Sequence, residues 1–265
     1  RLSGNLKIAE DEPIPAKAVA KDWRQLFKKK LNVSCLSPGA VFYRVVRLPQ
    51  CEPEELAPMI EFQLEQLSPL PINQIVWSIE PVPHREGEDD GGRTVVAVIT
   101  GGDSVEKHLG KLESGWFHAD RIEAPFLRDI LPSQPEADGV HLFLNEDGER
   151  FQCQMAWWAG GTLCDLNVLT LTANDTGRDT LLEKIRRIVW AGEMEGWIPP
   201  ELACRLTICG TLPAGWKGAL EECFEGRLTG AEPLVDTDRA TLTAERAVRS
   251  LAPAGLLPEE FALRY

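Results

Sequence analysis

The side chains able to do chemistry in this chain are few and scattered. Four histidines stand at 84, 108, 118 and 141, with no spacing that would place two on one metal or one beside a nucleophile. Seven cysteines (Cys35, Cys51, Cys153, Cys164, Cys204, Cys209 and Cys223) form an odd set with no C-x-x-C pair. That excludes a closed disulfide framework and a thiolate zinc site, and fits a reducing compartment. Cys153, Cys204 and Cys209 lie inside apolar, strand-like runs, where a thiol packs as a small hydrophobe. Glu86, Glu88, Asp89 and Asp90 offer hard oxygens, but without the alternation and fixed turn of a calcium loop they read as a solvated loop. No G-x-S-x-G elbow occurs. No catalytic residue, metal ligand or cofactor is expected from these residues.

Charge narrows the partners. Acids outnumber bases 41 to 28, a net charge of -13 over 265 residues. Such a field repels phosphate backbones, so nucleic acid is excluded as a direct partner. The basic run Lys28-Lys29-Lys30 reads as a solvated helix end. No apolar stretch reaches the roughly 18 residues of a membrane span. The start is polar, without a secretion signal or an initiator Met, which fits a piece of a longer protein.

The elements fall into two blocks. Gly4–Ala9 reads as a strand, followed by a helix whose Val19, Trp23, Phe27 and Leu31 form one stripe. Ala40–Ile122 reads as strand, helix, strand, strand, helix, strand. Its first helix, opened by Pro53, turns Leu56, Ile60, Leu64 and Leu67 inward. Asp103 and Glu106 suggest a capping box for the second, Val105–Ser114, which Gly115 ends, and Trp116–Ile122 is the last strand. After Ala124 the order changes. Val140–Leu144, Phe151–Trp158 and Thr162–Leu171 are strands joined by turns at Asp147-Gly148 and Gly160-Gly161. A helix from Asp175 carries Leu181, Ile185, Ile188 and Val189 inward. Then come strand Leu206–Cys209, helix Trp216–Phe224, strand Glu232–Val235 and helix Leu242–Leu251. In Trp157-Trp158 the two rings must face opposite ways, one into the core and one outward or under a partner. The order βββ-α-β-α-β-α is that of a ribonuclease H-like unit.

Three segments carry a family resemblance. Tyr43-Arg-Val-Val-Arg-Leu-Pro49, with Glu54, Glu55, Ile60, Glu61, Glu65, Leu70-Pro71 and Ile75-Val76-Trp77, is similar to the stretch "R-x-x-x-L-P … E-E-L … I-x-x-E-x-E … P-L-P … V-x-W" of the PilM family. Val95–Leu131, with Glu123-Ala124-Pro125, resembles the end of that family's inserted subdomain and its return to the core. Cys209-Gly-Thr-Leu-Pro213 resembles its late "G-G-x-x-x-L-P-G" turn. The family comprises actin-like proteins of type IV pilus assembly, with the GspL cytoplasmic domains of type II secretion as relatives. The resemblance implies an α/β, actin-like fold on a ribonuclease H-like core, residues 1–40 and 123–265, with an inserted α/β subdomain over residues 41–122.

It also implies where nucleotide would sit. Actin-like ATPases hold phosphate in two Gly-rich hairpin turns whose small residues let backbone amides approach. The first, "D-x-G-S-x-x", does not occur; its strand would lie before Arg1. The second corresponds to Asn145-Glu-Asp-Gly148-Glu149, whose three carboxylates repel a triphosphate. Gly148 there and Gly210 on the adenine side are the cofactor-binding candidates, as backbone positions only.

The tail Ala254-Gly-Leu-Leu-Pro-Glu-Glu-Phe261 resembles the "N-L-L-P" peptide that opens the PilN partner or precedes the membrane span of GspL-like proteins, with Gly255 in place of Asn. Leu256, Leu257, Pro258 and Phe261 are therefore the partner-binding candidates, expected to leave the folded core; the other reading packs Leu256 and Leu257 within the same molecule. The function implied is a non-catalytic scaffold at the cytoplasmic face of a bacterial inner membrane. It would link a membrane-anchored PilN-like protein, or its own downstream membrane segment, to a cytoplasmic motor ATPase, with a homodimer as a further assembly. The alternatives are a nucleotide switch or ATPase of the actin/sugar-kinase superfamily, and a ferredoxin-like module fused to a ribonuclease H-like one.

Overall fold

The computed structural model describes residues 2–3, 7–8, 32–82, 91–124, 126–130, 138–147, 150–198, 204–209, 211–224, 228–233 and 255–257. Its largest sheet has five strands: β8 (Gly139–Asp147), β9 (Arg150–Ala159), β10 (Thr162–Thr172), β11 (Cys204–Cys209) and β12 (Leu228–Pro233). Their order is β10-β9-β8-β11-β12. β9 runs antiparallel to both neighbours, whereas β11 runs parallel to β8 and β12. Numbered within this half, that is 3-2-1-4-5 with the second strand reversed, the ribonuclease H-like sheet that the element order implied.

The hairpins that build it follow from glycine chemistry. Gly160 and Gly161 have φ of 57° and 72°, the left-handed pair that a two-residue primed turn needs. Both amides point at Asp138, donating to its carboxylate oxygens at 3.0 and 3.4 Å. α4 (Asp175–Glu195) crosses one face of the sheet. Asn174 caps it by accepting from the Gly177 amide at 3.0 Å. With α5 (Trp216–Cys223) it buries Leu142, Leu144, Phe151, Cys153, Met155 and Trp157 against Leu181, Ile185, Ile188 and Leu220.

The opposite face carries Phe143, Ala156, Trp158, Leu163 and Leu166, packed with Val41, Tyr43, Val96 and Val98. These last come from a second sheet, of β4 (Val41–Pro49), β5 (Ile75–Val82) and β6 (Gly92–Gly101), in the order β4-β6-β5 and all antiparallel. A hydrogen bond of 3.0 Å between the buried Thr162 and Thr94 hydroxyls joins the two sheets. The other face of the three-stranded sheet, through Val95, Ala97 and Ile99, is covered by Leu56, Ile60 and Leu64 of α1 (Leu56–Leu67). β6 is thus buried on both faces, which explains its unbroken apolar run. β5 pairs with β6 and not with β8.

Several local expectations need correcting. Trp157 and Trp158 do face opposite ways, but both are buried, since both faces of the sheet are covered. The second helix, α2 (Gly102–Ser114), begins three residues early. Its N-cap is Gly101, and no side chain caps it. Gly115 keeps a negative φ, and Trp116 takes the left-handed position instead, at φ 60°. Trp116–Ile122 is not one strand: β7 (Arg121–Glu123) is shorter and pairs in parallel with β3 (Val33–Cys35), outside the three-stranded sheet. Pro58 is tolerated because a 3-10 turn, Pro53–Glu55, precedes α1 and leaves Pro58 in the first helical turn, where its missing N–H is no loss. Of the expected strand Gly4–Ala9, Lys7–Ile8 forms β2, which pairs with β1 (Leu2–Ser3), and residues 4–6 and 9 lie outside the described residues. The expected helix of Val19, Trp23, Phe27 and Leu31, the one at 242–251 and the acidic loop 86–90 lie outside the described residues. A short α3 (Leu127–Ile130) follows β7.

Candidate functional site

The tail residues meet the core at β7. Successive carbonyls of a strand point to opposite edges. On one edge, Glu123 O accepts from the Leu36 amide at 3.2 Å, continuing the pairing with β3. Ile122 O points the other way and accepts from the Leu256 amide at 3.0 Å. Leu256 is fully buried, in one cluster with Ile122, Phe126, Leu127, Ile130 and Tyr43. The half-buried Leu257 packs against the same cluster. Leu256 therefore does not leave the folded core as expected, because the free edge of β7 and the apolar cluster beneath it satisfy both its amide and its side chain. Pro258 and Phe261 lie outside the described residues.

Two polar links flank this junction. The Arg121 guanidinium pairs with the Glu123 carboxylate across one strand residue, with Glu123 buried. A buried pair of this kind holds geometry more than it stabilises, but removing one partner strands the other charge. On the β3 side, Ser34 Oγ and His108 Nε2 are 2.8 Å apart, tying α2 to β3. His108 is half-buried rather than a surface residue. Burial, with Lys111 nearby, lowers its pKa. The Ser34–His108 contact sets a hydroxyl beside an imidazole, and no cluster of metal-ligating side chains occurs among the described residues.

The nucleotide candidates Gly148 and Gly210 both lie outside the described residues. The β8–β9 ladder runs out to Asp147 and Arg150, so the connection there is residues 148–149. Within the ladder one residue stands out that sequence reasoning did not single out. Gln154, in β9 opposite Phe143 and Val168, is fully buried, and neither its amide oxygen nor its nitrogen has a hydrogen-bond partner. Its signal was a lone amide in the otherwise apolar run Cys153–Ala159. Phe62 was missed too. It is off the 56/60/64 stripe and follows Glu61, and it is 91% exposed.

Comparison with solved structures bears on this arrangement. The chain is similar to one in a PilM-PilN type IV pilus biogenesis complex, with a TM-score of 0.53 and 18% identity over 88% of this chain and 78% of that one. The fold is actin-like. Further likenesses are to the cytoplasmic domain of EpsL, an inner membrane component of the type II secretion system of Vibrio cholerae, at TM-score 0.49 and 14% identity over 86% of this chain and 78% of that one. Another is a Bacteroides thetaiotaomicron protein of actin-like ATPase fold, at TM-score 0.43 and 12% identity over 87% and 79%. No family model and no curated protein matches the sequence. Within this actin-like chain, the β7 junction is where the tail joins the core. No helix of the described residues is long and apolar enough to cross a membrane.

Proposed function

We propose that this chain is a non-catalytic actin-like scaffold at the cytoplasmic face of a bacterial inner membrane, with residues 41–122 as an inserted subdomain on a core of 1–40 and 123–265. It links a membrane-anchored PilN-like protein, or a membrane segment of its own, to the motor ATPase of a type IV pilus or type II secretion machine. The observation that carries this is the match of 88% of the chain to a structure in which PilM is assembled with PilN. The motif series from Tyr43 to Trp77 supports the same reading. The anchoring of Leu256 on Ile122 changes its detail: any tail recognition element starts at Pro258, after the chain has been fixed to the core. The test is co-purification from detergent-solubilised membranes of the source organism. A PilN-like inner-membrane protein is expected in the complex, and recovery of the chain with soluble proteins alone would refute the reading.

A second reading, a nucleotide-binding switch or ATPase of the actin/sugar-kinase superfamily, is favoured by Gln154. A buried amide with no partner is costly unless something polar meets it. Against it stands the sequence Asn145-Glu-Asp-Gly-Glu149, which brings three acids to the segment that corresponds to a phosphate-binding turn. Calorimetric titration with Mg-ATP separates the two. The scaffold reading expects no binding tighter than about 1 mM, near -4 kcal/mol, and a dissociation constant near 1 µM, about -8 kcal/mol, would establish the switch.

A further inference from the structure

We propose that the outer face of α1, centred on Phe62, is a docking surface for a basic, apolar segment of a partner protein. α1 buries Leu56, Ile60 and Leu64 beneath it. Phe62 lies roughly 200° around the helix from Ile60, so it cannot join that stripe. It is 91% exposed, the most exposed large apolar side chain among the described residues. Phe62 stands among the exposed Glu61, Glu65 and Gln66, and the apolar part of the surface is this ring together with Leu70 and Ile72. Beside it an open groove of about 690 Å³ is lined by Glu65, Leu70, Pro71, Ile72 and Asn73, with Ile72 itself 43% exposed. Phe62 and Glu65 are three residues apart on one helix face, so ring and groove adjoin.

The charge around this surface selects the occupant. From Leu48 to Val82 the chain holds six glutamates (52, 54, 55, 61, 65 and 80) and no Lys, Arg, His or Asp. Glu52, Glu54, Glu55, Glu61 and Glu65 are exposed. A second copy of this chain would bring like charge onto like charge, on top of its net -13. Nucleic acid and an anionic lipid surface are repelled for the same reason. A protein segment with an apolar anchor for Phe62 and the groove, flanked by Lys or Arg, satisfies both features. Glu61 and Glu65 are one helical turn apart, about 6 Å, which matches bases spaced by one turn on a partner helix. An aromatic ring at the centre of a charged rim is where binding energy concentrates. This inference rests on α1 and the adjoining Leu70–Asn73 segment, and stands or falls separately from the pilus or secretion reading.

The experiment titrates fluorescent model helices onto the full chain at low salt. One is an amphipathic peptide of leucines and lysines; its counterpart carries glutamates in place of the lysines. The lysine peptide should bind, the glutamate peptide should not, and Phe62→Ser should weaken the lysine peptide about tenfold, a change of about 1.4 kcal/mol. Glu61→Lys with Glu65→Lys should abolish binding. Melting temperature should not change in any variant, because Phe62 supports nothing internal. Trp190→Ser, at an exposed aromatic on α4, is the control and should leave binding intact. Equal binding by wild type and Phe62→Ser, equal binding of the two peptides, or an equal loss in Trp190→Ser would overturn the proposal.

Discussion

The amide of Leu256 donates to the carbonyl of Ile122 at 3.0 Å, so a residue near the end of the chain extends the edge of a strand from its middle. Contacts this distant in sequence close a long loop, at an entropic cost that grows only slowly with its length. Leu256→Ala removes a fully buried side chain from the cluster of Ile122, Phe126 and Ile130. The expected cost is about 2 to 5 kcal/mol. Urea unfolding of the variant measures it. A loss under about 0.5 kcal/mol would place Leu256 outside the core.

Gly177 admits no side chain. A Cβ there would lie 2.0 Å from the carbonyl oxygen of Thr172. Alanine is the better helix former by about 1 kcal/mol, so propensity alone favours Gly177→Ala. The clash is with rigid backbone and also disturbs the Asn174 cap on the Gly177 amide, and it dominates. The variant should lose about 3 kcal/mol. Thermal melting that showed a gain instead would mean that the β10–α4 corner relaxes freely.

His108 makes stability depend on pH in one direction. Its folded pKa lies below the ordinary 6.5, from burial first and from Lys111 second. The unfolded chain therefore takes up the proton more readily. The contribution of neutral His108 is complete above about pH 6.5 and is lost as pH falls towards its lowered folded value. His108→Gln should narrow the difference in melting temperature between about pH 7.5 and about pH 5.5 relative to wild type. An unchanged difference would remove His108 from the pH response.

Burial pushes the Cys153 thiol up to about 12 and the Cys164 thiol up to about 11. The thiolate is the reactive form, so both should resist a disulfide reagent at about pH 8 in the native protein. Cys35, Cys51 and Cys223 are half-buried and should react earlier. Labelling read by mass spectrometry should find Cys153 modified only after denaturation. Rapid native labelling of Cys153 would mean that the β9 core opens on the experimental timescale.

Much of this was legible in the residues. The apolar run of β9, the Gly160-Gly161 turn and the Leu181–Ile188 stripe are local features, set by backbone sterics and side-chain period. They give the elements of the five-stranded sheet and their order along the chain. The helix starts at Gly102 and the left-handed Trp116 were not legible. There, packing against β6 and the chain path to β7 outweigh the capping preferences of Asp103 and Gly115.

By itself the sequence determined the run of strands and helices in the five-stranded half and the net charge of -13, because the first depends on neighbours a few residues apart and the second on composition alone. Only the tertiary structure decided that both faces of β9 are covered, burying Trp157 and Trp158 alike, that Gln154 is left without a partner, and that Leu256 closes on Ile122 while Phe62 stays in solvent. Leu256 and Phe62 are both apolar residues in segments that also carry glutamates. Burial is a property of what the rest of the chain brings to a surface, and that pairing is made across more than a hundred residues for Leu256 and not at all for Phe62.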